Sequence, residues 1–284
     1  MHNNIKCNIC NHNAILFKYN NISNISNKDI KITDSQYGKH WTLFKCQNCN
    51  LVFSSPLPSH TLLLELYSAM KDDDYIEEEA GRKKNFMRIL KRIELFHPAK
   101  GSLLDVGAAS GMLIEVAIKM GWNAEGIELS ANLANKALQK YLKVYNTDLE
   151  SFNSNTSYDV ITAIDIIEHL YEPESLLTKS YHWLKNNGLI CIVTPNINSF
   201  AAKIFKNKWW HFRPAHLYYF NIKSISYLLA KNNFNIIAIK PYVWHFSLSY
   251  LLSRFSINFK NKMFKNFILP LNLLDSIEVY ATKK

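Results

Sequence analysis

Arginine is scarce in this 284-residue chain: five of the 33 basic residues (82, 88, 92, 213 and 254) are arginine, the rest lysine. Guanidinium forks make the commonest specific contacts to bases and phosphates. The formal charge of +10 therefore argues only weakly for a nucleic-acid partner. It fits better with a composition rich in Asn, Ile and Lys throughout, as in the tract NNISNISN at 20–27. Long uncharged apolar runs are also missing, and none reaches the eighteen or so residues of a membrane helix. The first ten residues, MHNNIKCNIC, hold no apolar core of a secretion signal. The cytoplasm is the expected compartment, where cysteines stay reduced. Glycine is sparse too, eight in all, yet five of them (101, 107, 111, 121 and 126) fall between 101 and 126.

What is present is a globular composition. With 48% hydrophobic and 13% aromatic residues the chain can bury a sizeable core. Its length suits a large domain plus a smaller module. Residues 1–58 carry four of the five cysteines and end at Pro56-Leu57-Pro58. Residues 59–100 show helical spacing at Leu62, Leu63, Leu66 and again at Phe86, Ile89, Leu90 and Ile93, which predicts a helical linker. From 101 to the end, apolar strand-like runs alternate with helical stretches. Strands are expected at 102–106, 123–128, 142–146, 158–164, 188–194, 234–241 and 275–282, and helices near 110–120, 131–141, 173–186 and 222–232. This alternation predicts an α/β domain with a doubly wound parallel sheet, closed by an antiparallel last strand.

The clustered glycines mark where backbone approaches a ligand. Leu103-Leu-Asp105-Val-Gly107-Ala-Ala109-Ser-Gly111 reads as a strand, a turn and the start of the helix 112–120. Ligands of open α/β sheets bind at such a turn, at the carboxyl ends of the strands. A carboxylate follows the next strand at Glu128, placed to accept the two hydroxyls of a ribose. In a dinucleotide site the turn faces a pyrophosphate, which the acid at 105 would repel. Asp105 suits a ligand without phosphates that carries an ammonium and a sulfonium, which describes S-adenosylmethionine (SAM).

Asp105-x-Gly107-x-Ala109-x-Gly111 resembles motif I of the class I SAM-dependent methyltransferases, with Ala109 in place of the usual middle glycine. The resemblance implies a Rossmann-like methyltransferase sheet. It implies that Glu128 holds the ribose, that Ile127 and Leu129 flank the adenine, and that Asp148 and Leu149 lie at its amino side. Asp165-Ile-Ile-Glu168-His169-Leu, followed by Glu172-Pro173, is similar to a stretch of the ubiquinone-biosynthesis-like methyltransferases that walls the methionine end of the cofactor. It differs from the N/D-P-P-Y pattern of nucleobase N-methyltransferases. Cys191, mid-strand with no proline before it, reads as core.

Trp209–Phe220 is dense in aromatics and resembles the substrate-covering segment of the same family. Methyl transfer needs a base within reach of the acceptor's proton, and histidine suits that role. His216 is the first candidate and His169 the second, with pocket packing as the alternative for each. Trp210 and Tyr219 are candidate substrate contacts. Tyr67 and Tyr75 fall in the linker that forms a lid in relatives.

Cys7-x-x-Cys10 and Cys46-x-x-Cys49 match the ligand set of a structural, zinc-ribbon-like Zn²⁺ site. A similar module precedes the catalytic domain in sugar-modifying relatives. The stretch 246–274 mixes Leu, Phe and Ile with Arg254, Lys260, Lys262 and Lys265. It reads as a cap or homodimer contact, or as a surface for peripheral membrane binding. Three functions stay open: a methyltransferase acting on a small molecule (a sugar or glycan intermediate first, a quinone-like phenol next), a zinc-ribbon RNA methyltransferase, and a non-catalytic scaffold that binds the cofactor.

Overall fold

A computed structural model describes residues 5–33, 37–72, 75, 78–248 and 267–284. The chain opens with three short strands, β1 (Ala14–Lys18), β2 (Leu43–Cys46) and β3 (Val52–Ser54). Two helices follow, α1 (His60–Ser68), capped by the Ser59 hydroxyl, and α2 (Glu79–Phe96). The large domain then runs β4 (Ser102–Val106), α3 (Met112–Lys119), β5 (Asn123–Glu128), α4 (Ala131–Leu138), β6 (Val144–Asn146) and β7 (Tyr158–Ile164). It continues with α5 (Pro173–Trp183), β8 (Leu184–Pro195), α6 (Phe200–Phe205), β9 (Tyr218–Tyr219) and α7 (Ile222–Lys231). Four strands close it: β10 (Phe234–Pro241), β11 (Trp244–Ser247), β12 (Ile268–Leu271) and β13 (Ser276–Lys283).

Seven strands form the central sheet in the order β10-β13-β8-β7-β4-β5-β6. β4, β5, β6, β7 and β8 are parallel, and β13 enters antiparallel between β8 and β10. This is the Rossmann-like sheet with an antiparallel last strand that the sequence predicts. Strand alternation sends Leu103, Val160, Leu189 and Tyr280 to one face, packed with Ile89, Leu90 and Ile93 of α2. Leu104, Ile161, Ile190 and Val279 face the other way, against Leu176, Leu177, Leu228 and Leu229 of α5 and α7. Both faces being covered explains the near-continuous apolar runs of these strands. α2 is further tied to β13, where Arg88 and Arg92 meet the fully buried Glu278.

Three expectations change. The helix expected to 186 ends at Trp183, and Leu184 is already extended and paired with Tyr158. Lys185-Asn-Asn-Gly188 has poor helix formers, and Asn187 turns through the left-handed region at φ 61°. The ends of the 246–274 stretch are strands, since β11 pairs antiparallel with β12. Arg254, Lys260, Lys262 and Lys265 lie outside the described residues. Residue 58 also divides the chain without dividing the sheet: β1, β2 and β3 are joined by β9, through Val52 opposite Tyr219 and Phe53 opposite Tyr218. Among the described residues no helix is long and apolar enough to cross a membrane.

Candidate active site

Between β4 and α3 the chain must reverse tightly. Gly107 adopts φ +77°, and a Cβ there would lie 2.1 Å from Ile166 Cδ1. Its N–H and that of Ala108 both donate to the Ile127 carbonyl, fastening the turn to β5. Ala109 stands in the left-handed region at φ +47°, a conformation costing a non-glycine residue about 1 kcal/mol. The Ala109 N–H donates to Glu128 Oε2 at 2.8 Å, and Ser130 N–H donates to Oε1 at 2.6 Å. Glu128 thus holds the turn on one side and the start of α4 on the other. Burial pushes its carboxyl above the usual range, against the lowering effect of those two bonds.

A cavity of about 480 Å³ opens over these strand ends. Gly107, Glu128, Leu129, Asp148 and Leu149 line one side, and Leu63 and Tyr67 of α1 face them with His169. Among its lining residues are four carboxylates (Glu128, Asp148, Glu150 and Glu172) and no lysine or arginine. Such a wall repels phosphate and attracts a cation. It fits the positively charged methyl donor and does not fit a dinucleotide. Asp148 accepts from the Ser151 N–H and hydroxyl, which hold its carboxyl below the usual range although burial opposes this.

Asp105, Ala109 and Gly111 lie outside the cavity lining. Asp105 is 4% exposed and accepts from the Thr162 hydroxyl at 2.6 Å. Burial pushes its carboxyl up to about 7, with the neighbouring Glu128 adding to the rise. Tyr75 is likewise outside, under the Arg82 guanidinium at 4.0 Å from its ring centre.

Behind His169 sits a buried polar cluster. The His169 and His216 rings meet edge to face at 4.6 Å. A Glu168 oxygen and the two ring nitrogens come within 4.8 Å of one another. His169 Nδ1 lies 3.0 Å from the Ala215 carbonyl, an acceptor only, so Nδ1 carries the proton, and the Tyr67 oxygen at 2.9 Å shares it. Burial holds the imidazole of His169 down at about 3 and that of His216 well below its ordinary value. Both rings are neutral at physiological pH. Asp165, at the end of β7 with φ +53°, is pushed by burial up to about 7, and Glu168 well above the usual range. Trp210 donates to Asp275 Oδ2 at 2.8 Å, and the Tyr219 hydroxyl lies 3.5 Å from the Arg213 carbonyl. Asp275 and His211 were not singled out by the sequence. They lie 64 residues apart and meet only through the fold.

The four cysteines converge. Sγ–Sγ separations are 3.7 Å for Cys7–Cys49, 3.3 Å for Cys10–Cys46 and 3.7 Å for Cys10–Cys49. Tetrahedral zinc with bonds of about 2.3 Å needs about 3.8 Å between sulfurs. Each knuckle ends on an asparagine in the left-handed region, Asn11 at φ 57° and Asn50 at φ 62°. Asparagine tolerates that conformation better than most residues. The cysteine set therefore fits a closed metal site.

Comparison with known proteins places this geometry. A family model described as a methyltransferase domain matches residues 78–239, more than half the chain. The chain is 28% identical over 138 residues to a ubiquinone biosynthesis O-methyltransferase of Rhodopseudomonas palustris (strain TIE-1), covering 46% of this chain and 53% of that protein. It is 31% identical over 124 residues to the protein of the same description from Coxiella burnetii (strain Dugway 5J108-111), covering 41% and 53%. The chain thus spans about half the length of these relatives. By fold it is similar to magnesium protoporphyrin IX methyltransferase from Synechocystis PCC 6803, solved with bound SAH (TM-score 0.53, 13% identity, 80% of this chain and 100% of that one). A SAM-dependent methyltransferase from Archaeoglobus fulgidus gives a TM-score of 0.52 at 19% identity, covering 75% and 100%. The chain belongs to the methyltransferase-domain family.

Proposed function

We propose that the chain transfers a methyl group from SAM to a hydroxyl of a small molecule, a sugar or glycan intermediate first and a quinone-like phenol second. The observation that carries the donor assignment is the cavity at the ends of β4, β5 and β6, with four carboxylates and no lysine or arginine. When bound there, the donor supplies an electrophilic methyl on a sulfonium. Glu128 would hold the ribose, and Leu129 and Leu149 would flank the adenine. Tyr67 and Leu63 exclude water from above.

The phenol alternative draws support from the relatives' description as ubiquinone biosynthesis O-methyltransferases. The sugar reading draws support from the buried polar groups beside the cavity, which suit an acceptor rich in hydroxyls. An RNA acceptor is disfavoured by the scarcity of arginine, and one edge of the cysteine module is committed to contacts with 214–221. Trp41 donates to the Pro214 carbonyl, Asn8 to the Tyr218 hydroxyl and Asn221 to the Asn50 carbonyl. We assign Cys7, Cys10, Cys46 and Cys49 to one structural Zn²⁺.

Isothermal titration with SAM, followed by tritiated-methyl transfer to a panel of nucleotide sugars and catechols, tests the reading. Binding in the micromolar range and label in one acceptor class are expected. Protein that carries metal but shows no heat with SAM would refute it.

A further inference from the structure

The cavity lies over the ends of β4, β5 and β6 and extends to Ile166, His169 and Glu172 after β7. Outside its lining, the carboxyl ends of β7 and β8 and the start of β13 carry further buried polar groups. Asp165 Oδ1, Glu168 Oε1, Asp275 Oδ1 and His216 Nδ1 are buried with no hydrogen-bond partner among the described residues. Native interiors rarely leave four such atoms in one place. Hydroxyls of a bound acceptor would satisfy them.

Within this cluster one imidazole differs from the others. His169 Nδ1 is engaged by the Ala215 carbonyl, and His216 has neighbouring histidines and Arg213 around it, which disfavour a further positive charge. His211 instead faces a carboxylate. Its Nε2 lies 3.0 Å from Asp275 Oδ2, with its side chain 12% exposed and that of Asp275 1% exposed. The same Asp275 oxygen accepts from Trp210 Nε1 at 2.8 Å, so the carboxylate is oriented from a second side. The backbone of Asp275 is fixed as well, its carbonyl accepting from Asn196 N–H at 2.8 Å just past the end of β8. The His211 ring lies parallel to that of His216, 6.0 Å away, with Trp209 edge-on at 5.1 Å. A carboxylate on one ring nitrogen fixes the tautomer. Nε2 carries the hydrogen, and Nδ1 keeps the lone pair. The carboxylate also stabilises the imidazolium that would form, as in other base–orienter pairs.

We propose that His211, oriented by Asp275, is the base that takes the proton of a hydroxyl acceptor lying over the ends of β7, β8 and β13. The assignment rests on the methyl-transfer reading. In the proton step the acceptor O–H bond breaks and the Nδ1–H bond forms. The oxygen keeps the electron pair with which it attacks the methyl, and the imidazolium later releases its proton to water. Asp275 acts as a positioning residue. Glu168 and Asp165, held protonated by burial, would be donors to other acceptor hydroxyls.

Two measurements test this on the full-length, metal-loaded protein. The first needs no turnover: histidine-selective ¹⁵N spectra report the tautomer of each ring. His211 should show hydrogen on Nε2, and Asp275→Asn should release it into a mixture of both tautomers. Hydrogen on Nδ1 in the unsubstituted protein would overturn the proposal. The second uses the acceptor class labelled by tritiated SAM in the panel of nucleotide sugars and catechols. His211→Ala should lose at least 100-fold in kcat with the KM for SAM unchanged, and added imidazole should restore at least a tenth of the loss. Asp275→Asn should lose 10- to 100-fold in kcat without imidazole rescue. Should His211→Ala fold and turn over normally, or fail to respond to imidazole, His211 is not the base, although methyl transfer stands. If the unsubstituted protein binds SAM and labels no acceptor, the transfer reading falls, and this assignment falls with it.

Discussion

Asp105 makes acid–base behaviour part of the cofactor site. Its carboxyl titrates near 4 in an unfolded chain and at about 7 in the folded one, chiefly through burial. The folded state therefore keeps a proton that the unfolded state has lost throughout that window. Its contribution to stability is intact below about pH 4 and declines as pH rises to about 7, since stability falls wherever the folded state binds more protons. The displacement corresponds to roughly 4 kcal/mol at most, from about 1.4 kcal/mol per tenfold change in proton affinity. Asp105→Asn removes the titration and keeps an oxygen to accept from the Thr162 hydroxyl, which now lies 2.6 Å away. Asp165 and Glu168 titrate with the same sign in both proteins, so the difference between the two isolates Asp105. Thermal unfolding followed by circular dichroism from pH 4.5 to 8 is the assay. The variant should gain on the parent by roughly 6 °C across that range, since about 3 kcal/mol of the displacement falls within it, at about 2 °C per kcal/mol for a protein of this size. A donor carrying an ammonium should favour the ionised carboxylate, so SAM binding near pH 7 should release up to about half a proton. Titration calorimetry in buffers of different ionisation enthalpy reads that release. A gap between variant and parent that stays constant with pH would show that Asp105 is not held protonated, and the reasoning would fail at its first step.

Glu128→Gln places an amide N–H against one of the two backbone donors, Ala109 or Ser130. It should weaken SAM binding at least tenfold by calorimetry and cost about 1–3 kcal/mol of stability in urea unfolding. Cys46→Ser should abolish stoichiometric zinc by metal analysis and open 209–221 to limited proteolysis, because β3 could no longer hold β9. Glu278→Gln leaves Arg88 and Arg92 without their shared carboxylate. A loss of about 3 kcal/mol is expected from the behaviour of broken buried pairs, with SAM affinity unchanged because none of the three residues lines the cavity.

The donor side was legible because it is local. Asp105, Gly107, Glu128 and Asp148 fall within 45 residues, each at the end of a strand or in the turn after it, and hydrophobic alternation alone locates those strands. The cysteine cluster was legible for the same reason, since two C-x-x-C pairs carry their own geometry. Burial was not legible. Asp105 and Gly111 belong to the motif yet lie under the turn, outside the cavity lining, because the cavity is bounded by the residues that end the strands and by α1. The helix expected to 186 was carried too far by apolar spacing that continued into a strand paired with Tyr158. The acceptor side was hardly legible at all. His211, Asp275 and Glu168 come from three separate segments, and nothing in the spacing of His211 and Asp275 announces that they meet.

That scattering explains why a cysteine module accompanies this domain. β9 is two residues long, and a strand of that length has no stability of its own. It exists because Val52 and Phe53 of β3 pair with it, and β3 is held by β2, which ends in Cys46. Cys46 N–H in turn donates to the Leu51 carbonyl, closing the second knuckle directly ahead of β3. The segment that carries His211 and His216 runs between α6 and β9. Pro214, Tyr218 and Asn221 on it are bonded to Trp41, Asn8 and Asn50 of the module. A metal at the four cysteines would therefore fix the position of the acceptor-side histidines without touching them. Loss of zinc should then lower kcat for acceptor methylation well before it lowers affinity for SAM, whose cavity is built from β4, β5 and β6 and makes no use of the module.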